Sequence, residues 1–292
     1  MKIAGFAIAL LVALGAGQSA RAAEGRLAVV AAENFYGDIA EQIGGDRVEV
    51  VSIMNSPDQD PHLFETHARR RAPDRRRARR HPQWRQLRPV DGQASGRRTA
   101  ARPHRHQCRR TCTRPGGDNP HLWYAPATMP AVAKAIAEAF AKADTDHASD
   151  YAIHLTATLA SFERIGLRIA QIKSKHAGEA VTATEPVFGP MAEALGLTMR
   201  NQKFQLAMMN DTEPSARDVA AFENDLKGRK VKLLLYNSQV SEKLTERMRD
   251  IASNAKVPVV GVTETMPAKV SFQDWMLRQL DAVDRALTGP HS

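Results

Sequence analysis

Residues 26–54 read RLAVVAAENFYGDIAEQIGGDRVEVVSIM, and the way this stretch divides decides the fold. RLAVVAA (26–32) is a short, nearly continuous apolar run of the kind buried strands carry. FYGDIAEQI (35–43) spaces its apolar residues at helical intervals, and Gly44-Gly45 ends the pattern. VEVVSIM (48–54) is again strand-like. Strand, helix, strand within thirty residues is a β-α-β unit, which predicts a parallel sheet.

The same alternation governs the rest of the chain. An alanine-rich helix is predicted from Pro126 to about Ala143. Residues 146–177 contain no proline and a single glycine, Gly166. As one helix they would extend about 48 Å at 1.5 Å per residue; the alternative is two shorter helices broken at Gly166. Beyond lie a strand in EAVTATEP (179–186), a helix in PVFGPMAEAL (186–195), and a helix with Pro214 at its start. Strand VKLLLYN (231–237), helix SEKLTERMRDIASNA (241–255), strand VPVVGVT (257–263) and helix SFQDWMLRQLDAVDRAL (271–287) follow. The fold class expected is α/β, with two lobes, each a mostly parallel sheet with flanking helices, joined by one long backbone helix. The boundaries expected are 24–143 for the first lobe, 144–178 for the linking helix and 179–292 for the second lobe.

The chain starts Met1-Lys2, continues with the apolar run IAGFAIALLVALGAG (3–17) and reaches Ala20-Arg21-Ala22. A basic start, a short apolar core and an A-x-A junction make a secretory signal peptide, 1–23, cleaved near Ala22 or Ala23. The run is shorter than the roughly 20 residues that a membrane span needs. The mature protein is therefore expected in the periplasm.

Net charge is +9, but its distribution matters more than its sign. Residues 66–116 hold seventeen Arg, no Lys, two Asp and no Glu, which makes +15 and leaves −6 for everything else. The tract also lacks Ile, Phe, Met, Tyr and Lys while being rich in Arg, Pro, Ala, Gln and His. A solvated basic arm would normally mix Lys with Arg. GC-rich DNA read out of frame gives this mixture instead. HPQWRQLRPVDG (81–92) can be back-translated so that a one-base shift reads ILNGANYDPWM, and HRHQCRRTCTR (104–114) so that it reads IVINVAELVH. Codon degeneracy allows some freedom, but Trp84 must yield Gly, and Asp91 Met or Thr. The tract is read as frameshifted, with opposite indels near Glu65 and Gly116. As written it buries too little apolar surface to offset its ordering entropy, so disorder over 66–116, poor folding of the first lobe and weak metal binding are expected. The same reading sets aside His104, His106, Cys108 and Cys112 as a zinc knot, because both cysteines lie inside the tract. No disulfide is expected.

Three spots outside the tract place a metal-type ligand where a strand gives way to a loop. His62 in DQDPHLFE and His121 in GDNPHLWY each follow a proline and precede an aromatic by two residues. A stiff loop holding an imidazole beside apolar cover suits a preformed metal site. Glu185 in TATEPVF also precedes a proline, although it could simply favour the N-terminus of the helix that follows.

NFYGDIAEQIGGDRVEVVSI…DPHLFE, GDNPHLWY and VTATEPVF…ALGL together resemble the periplasmic metal-binding proteins of ABC importers, the zinc/manganese cluster A-I. The resemblance covers 28–65 and 117–288, and the shifted product ILNGANYDPWM is similar to that family's text. It implies two α/β lobes on one long helix with the ion held between them. His62 and His121 match the family's two first-lobe ligands, and Glu185 matches the third position, where other members carry His. The fourth family ligand is an Asp late in the second lobe, which has no clean match here. Glu264 in VTETMP is the candidate, and Asp274 in the last helix reads as a surface residue. Two imidazoles with carboxylates suit Zn²⁺, and oxygen ligands also suit Mn²⁺.

The expected function is an extracytoplasmic receptor that delivers zinc or manganese to an ABC importer's membrane permease, a monomer and not an enzyme. No G-x-S-x-G, H-E-x-x-H or phosphate loop is present in frame. Two rivals stand: a metal-dependent hydrolase, and a nucleic-acid or anionic-surface binder if the arginine tract is genuine. The second is disfavoured with the tract itself, so no nucleic acid is expected as a partner. Genomic DNA read afresh across codons 60–120 is expected to show a base gained near Glu65 and one lost near Gly116, or the reverse. Bases confirmed as they stand would mean that the gene itself is damaged or that the arm is real.

Overall fold

The computed structural model describes residues 11–12, 26–56, 119–240 and 242–289. The opening β-α-β unit forms as read. Strand β2 (Leu27–Glu33) and strand β3 (Val48–Met54) pair in parallel, from Leu27 opposite Val48 to Glu33 opposite Met54. Helix α1 (Asn34–Gly44) crosses between them. It lies so close to β3 that a side chain at Gly37 would run into Ser52 and Val50. A two-residue strand β1 (Leu11–Val12), inside the stretch read as a signal peptide, pairs antiparallel with β2. The rest of 1–23 lies outside the described residues, as do His62 and the whole of 66–116. The described part of the first lobe is nonetheless well packed. Phe35, Ile39, Ile43, Ile136 and Phe140 are all fully buried between α1 and α2 (Thr128–Ala143).

Helix α3 (Ala148–His176) is a single helix of 29 residues, about 44 Å long, unbroken at Gly166. Gly166 is exposed, and a Cβ there would meet nothing within 4 Å, so the residue costs helix propensity without forcing a break. One face of α3 packs on α1 and α2; another takes the closing helix α8 (Phe272–Thr288). The helix therefore touches both lobes along its length.

The second lobe is a four-stranded, all-parallel sheet in the order β5-β4-β6-β7, made of β4 (Ala180–Ala183), β5 (Thr198–Arg200), β6 (Leu234–Asn237) and β7 (Val259–Val262). Short α4 (Gly189–Ala194), α5 (Gln202–Met209), α6 (Ala216–Lys227) and α7 (Lys243–Asn254) complete it. β5 and α5 were not anticipated. Pro214 stands just before α6 rather than inside it, and Ser215 caps that helix by accepting from the Asp218 N–H. On one face of the sheet Phe204, Phe222, Leu226 and Met248 form a separate core. The other face joins Val181, Leu235 and Val262 to Phe35, Tyr124 and Trp275 in one continuous core that crosses between the lobes. After β4 the chain goes to β5 on one side and then to β6 on the other. A crevice opens at the carboxyl ends of strands where the order reverses in this way.

An ion cluster fastens α8 to α3. Asp284 accepts from Arg168 Nη2 at 2.8 Å and from Lys175, and His176 Nε2 stands 3.2 Å from its other oxygen. Burial alone would raise the Asp284 carboxyl, but the Arg168 and Lys175 hydrogen bonds and charges outweigh it and hold the group below a free aspartate's 3.8. A lowered carboxylate stabilises the fold above the unfolded value and loses that contribution as pH falls through the folded one. Asp284→Asn is expected to cost about 2 kcal/mol at neutral pH. In urea melts across pH, the gap between parent and variant should close as the pH drops below 3.8; a constant gap would contradict the assignment.

Candidate metal centre

His121 is fully buried and its imidazole is held in one orientation. Asn119 Oδ1 accepts from the His121 backbone N–H at 3.0 Å and stands 2.7 Å from Nδ1. The Asn119 Nδ2 donates to the Pro186 carbonyl, which fixes which end of the amide is oxygen. Nδ1 therefore donates to Asn119, and Nε2 is the nitrogen left to face the site. It faces Glu264 Oε2 at 3.4 Å. The Asn119 contact also ties the His121 loop to the residue after Glu185, and it needs Gly189, where a Cβ would stand 2.8 Å from Asn119 Nδ2.

Glu185 follows β4 in extended backbone (φ −143°, ψ 160°), the conformation a following proline imposes. Its carboxylate does not cap the turn that begins at Pro186; it accepts from Asn237 Nδ2 at 3.0 Å instead. Glu264 lies in the loop after β7, 1% exposed, and its Oε1 accepts from the same Asn237 nitrogen at 2.7 Å. Asn237 thus links Glu185 to Glu264, and Glu264 in turn faces His121. His62 lies outside the described residues. Asp274 is exposed in the first turn of α8, where its N–H donates to Ser271 Oγ. Among the described residues, no three His, Cys, Asp or Glu stand close enough to hold an ion without further movement or a further ligand. The His121–Glu264 pair does have a metal spacing: two ligands on one tetrahedral ion, at bonds of about 2.0–2.2 Å, stand about 3.4 Å apart.

Four consecutive residues of the Glu264 loop are held in place. The Thr263 carbonyl accepts from the buried Tyr124 hydroxyl at 2.6 Å. The backbone N–H groups of Glu264 and Thr265 both donate to Gln239 Oε1. Thr265 Oγ1 donates to the Ser56 carbonyl at 3.1 Å, and Met266 exchanges both backbone groups with the Asn34 side chain. Burial raises the Tyr124 phenol far above its ordinary value, so it stays protonated and donating. None of Asn34, Asn119, Tyr124, Asn237 or Gln239 was singled out from sequence. Asn119 sits inside GDNPHLWY, and Asn237 ends the buried strand LLLYN, where a polar residue is the only available signal.

The sequence matches the family model described as ZnuA, zinc-uptake complex component A, periplasmic, over residues 77–286. The chain belongs to this family. The match spans His121, Glu185, Asn237 and Glu264 and begins after His62. Against curated protein sequences there is no match. Among solved structures, the periplasmic zinc-binding protein TroA of Treponema pallidum aligns with a TM-score of 0.62 at 15% identity, covering 91% of this chain and 100% of that one. A ZnuA crystal structure aligns at 0.58 and 18%, with 91% and 100% covered. A manganese-bound mutant of the periplasmic metal-binding protein of Candidatus liberibacter asiaticus aligns at 0.57 and 15%, with 89% and 99% covered. These likenesses establish the fold: two parallel-stranded α/β lobes on a long helix. Family membership makes the chain a metal-binding receptor of cluster A-I, acting outside the cytoplasm, and not an enzyme. No helix among the described residues is long and apolar enough to cross a membrane.

Tyr124→Phe keeps the ring in its contacts with Phe188 and Trp275 and deletes the hydroxyl's bonds to the Thr263 carbonyl and to Gln279. It should lower stability by about 1–2 kcal/mol, read by urea melting. An unchanged midpoint would mean that the loop does not depend on this hydroxyl.

Proposed function

We propose that the chain is exported by cleavage of residues 1–23, binds a zinc or manganese ion between lobes 24–143 and 179–292, and delivers it as a monomer to the membrane permease of an ABC importer. His121, Glu185 and Glu264 supply ligands from the described residues, with His62 as the fourth. The observation that carries this reading is the fixed ring orientation of His121, with Nδ1 on Asn119 and Nε2 turned to Glu264 Oε2 at 3.4 Å, both side chains buried. An imidazole nitrogen and a carboxylate oxygen at this separation are spaced as two ligands of one ion.

The tetrahedral spacing favours zinc. Glu185 favours manganese as the second reading, because a second carboxylate shifts the donor set toward oxygen. The ion is cargo, so affinity must be high enough to capture it and the site must reopen at the permease.

Calorimetric titration with zinc and with manganese tests both, on the chain as written and on a frame-restored version. The restored chain is expected to bind below the micromolar range, and the chain as written at least about tenfold more weakly, as for a metal site whose supporting residues are disturbed. His121→Ala and Glu264→Gln should each cost more than that. Tight binding that ignores both substitutions would overturn the assignment. Binding to nucleic acid that falls steeply with salt and is indifferent to His121 would favour the basic-arm reading instead.

A further inference from the structure

Asn237 terminates β6, beside the point where the strand order reverses, and is 2% exposed. Its backbone N–H donates to Thr184 Oγ1 at 3.1 Å, which anchors the residue to the strand that carries Glu185. Its side-chain oxygen accepts from the Gln239 N–H at 3.1 Å, while its nitrogen donates to Glu185 Oε2 at 3.0 Å and to Glu264 Oε1 at 2.7 Å. Only one orientation of the amide satisfies this set, because a backbone N–H can only donate and ionised carboxylates can only accept. Both amide hydrogens are therefore committed, one to each carboxylate. Two carboxylates from loops far apart in sequence are pinned by one neutral, two-pronged donor.

Resting on the metal-receptor reading above, we propose that Asn237 is the positioning residue of the site. It does not ligate the ion; it takes up one oxygen of each glutamate and so turns the other toward the position that His121 addresses. For Glu264 this is visible directly: Oε1 is on Asn237, and Oε2 is the atom 3.4 Å from His121 Nε2. Gln239 sets the amide in turn, since its own N–H holds Asn237 Oδ1 while its side-chain oxygen holds the backbone of Glu264 and Thr265. Asn237 therefore makes each glutamate a one-oxygen ligand. Without it, each carboxylate loses this constraint, and chelation through both oxygens, which suits larger, more highly coordinated ions, becomes more accessible. Asparagine fits this place where aspartate does not, because aspartate would add a third acceptor and no donor.

Cobalt(II) provides the test, because its visible absorption reports the number and geometry of ligands. The frame-restored chain and its Asn237→Ala and Asn237→Thr variants would be titrated with cobalt(II) and with zinc, alongside Asp284→Asn, whose partners Arg168, Lys175 and His176 all lie on α3. Asn237→Ala is expected to bind both ions at least about tenfold more weakly and to shift the cobalt band toward higher coordination. Asn237→Thr, with one donor, should fall in between, and it serves if the alanine variant does not fold. Asp284→Asn, though less stable, should keep the parent's affinity and band. The proposal fails if Asn237→Ala matches the parent in both, or if Asp284→Asn loses affinity in step with its thermal midpoint, since the effect would then be one of general stability. A folded parent that takes up neither ion would instead overturn the metal-receptor reading itself.

Discussion

Two carboxylates, Glu185 and Glu264, are buried side by side at the mouth of a parallel sheet, and the rest of the molecule is arranged around keeping them there. Buried charges are costly unless they are paired and hydrogen-bonded. The cost is offset here by convergence: Asn237 donates to both, Gln239 secures the backbone of one, and His121 faces it from the other lobe. Each of these partners sits at a strand end or on a short turn. Their positions follow from the strand order β5-β4-β6-β7, which reverses beside β4 and leaves room at its carboxyl end.

The same loop that carries Glu264 also fastens the lobes. Tyr124, Ser56 and Asn34 all come from the first lobe, and all bind residues 263–266. Farther back, the Phe272 N–H donates to Asp38 at 2.9 Å, and Gln42 and Gln273 exchange amide hydrogen bonds, so α1 is tied to the start of α8. Burial raises the Asp38 carboxyl, which the Phe272 N–H and the Gln42 amide partly counter. The four residues around Glu264 are therefore bonded to groups on both sides of the site.

Much of the architecture was legible because it rests on periodicity. The β-α-β opening, the uninterrupted 146–177 stretch and the alternating strands of the second lobe each declare themselves by apolar spacing, and each formed close to its expected bounds. β5 escaped because three residues, Thr198–Arg200, with only the middle one partly covered, carry no periodic signal. The site divides in the same way. His121 was legible from its proline and aromatic neighbours, and Glu185 and Glu264 through resemblance to a family. Asn237 was not, because its meaning lies entirely in two partners 52 and 27 residues away. An asparagine at a strand end is chemically ordinary until the fold shows what it faces.

The two lobes also differ in a way that bears on the arginine tract. In the second lobe both faces of the parallel sheet are covered, and the central residues Val181, Leu234 and Leu235 are fully buried. In the first, α1 covers one face of β2–β3, while Val51 and Ile53 on β3 remain 58% and 48% exposed. Parallel strands are stable chiefly when both faces are covered, and they read as continuous apolar runs for that reason. β3, sequence VEVVSIM, is such a run and yet shows its side chains to water. A strand of this composition fits a lobe with another apolar layer against it. The chain between Ser56 and Asn119, as written, is mostly arginine, proline and polar residues. With suitably chosen codons, a one-base shift lets the same stretch read ILNGANYDPWM and IVINVAELVH, two segments that begin with apolar residues of the kind such a layer is made from.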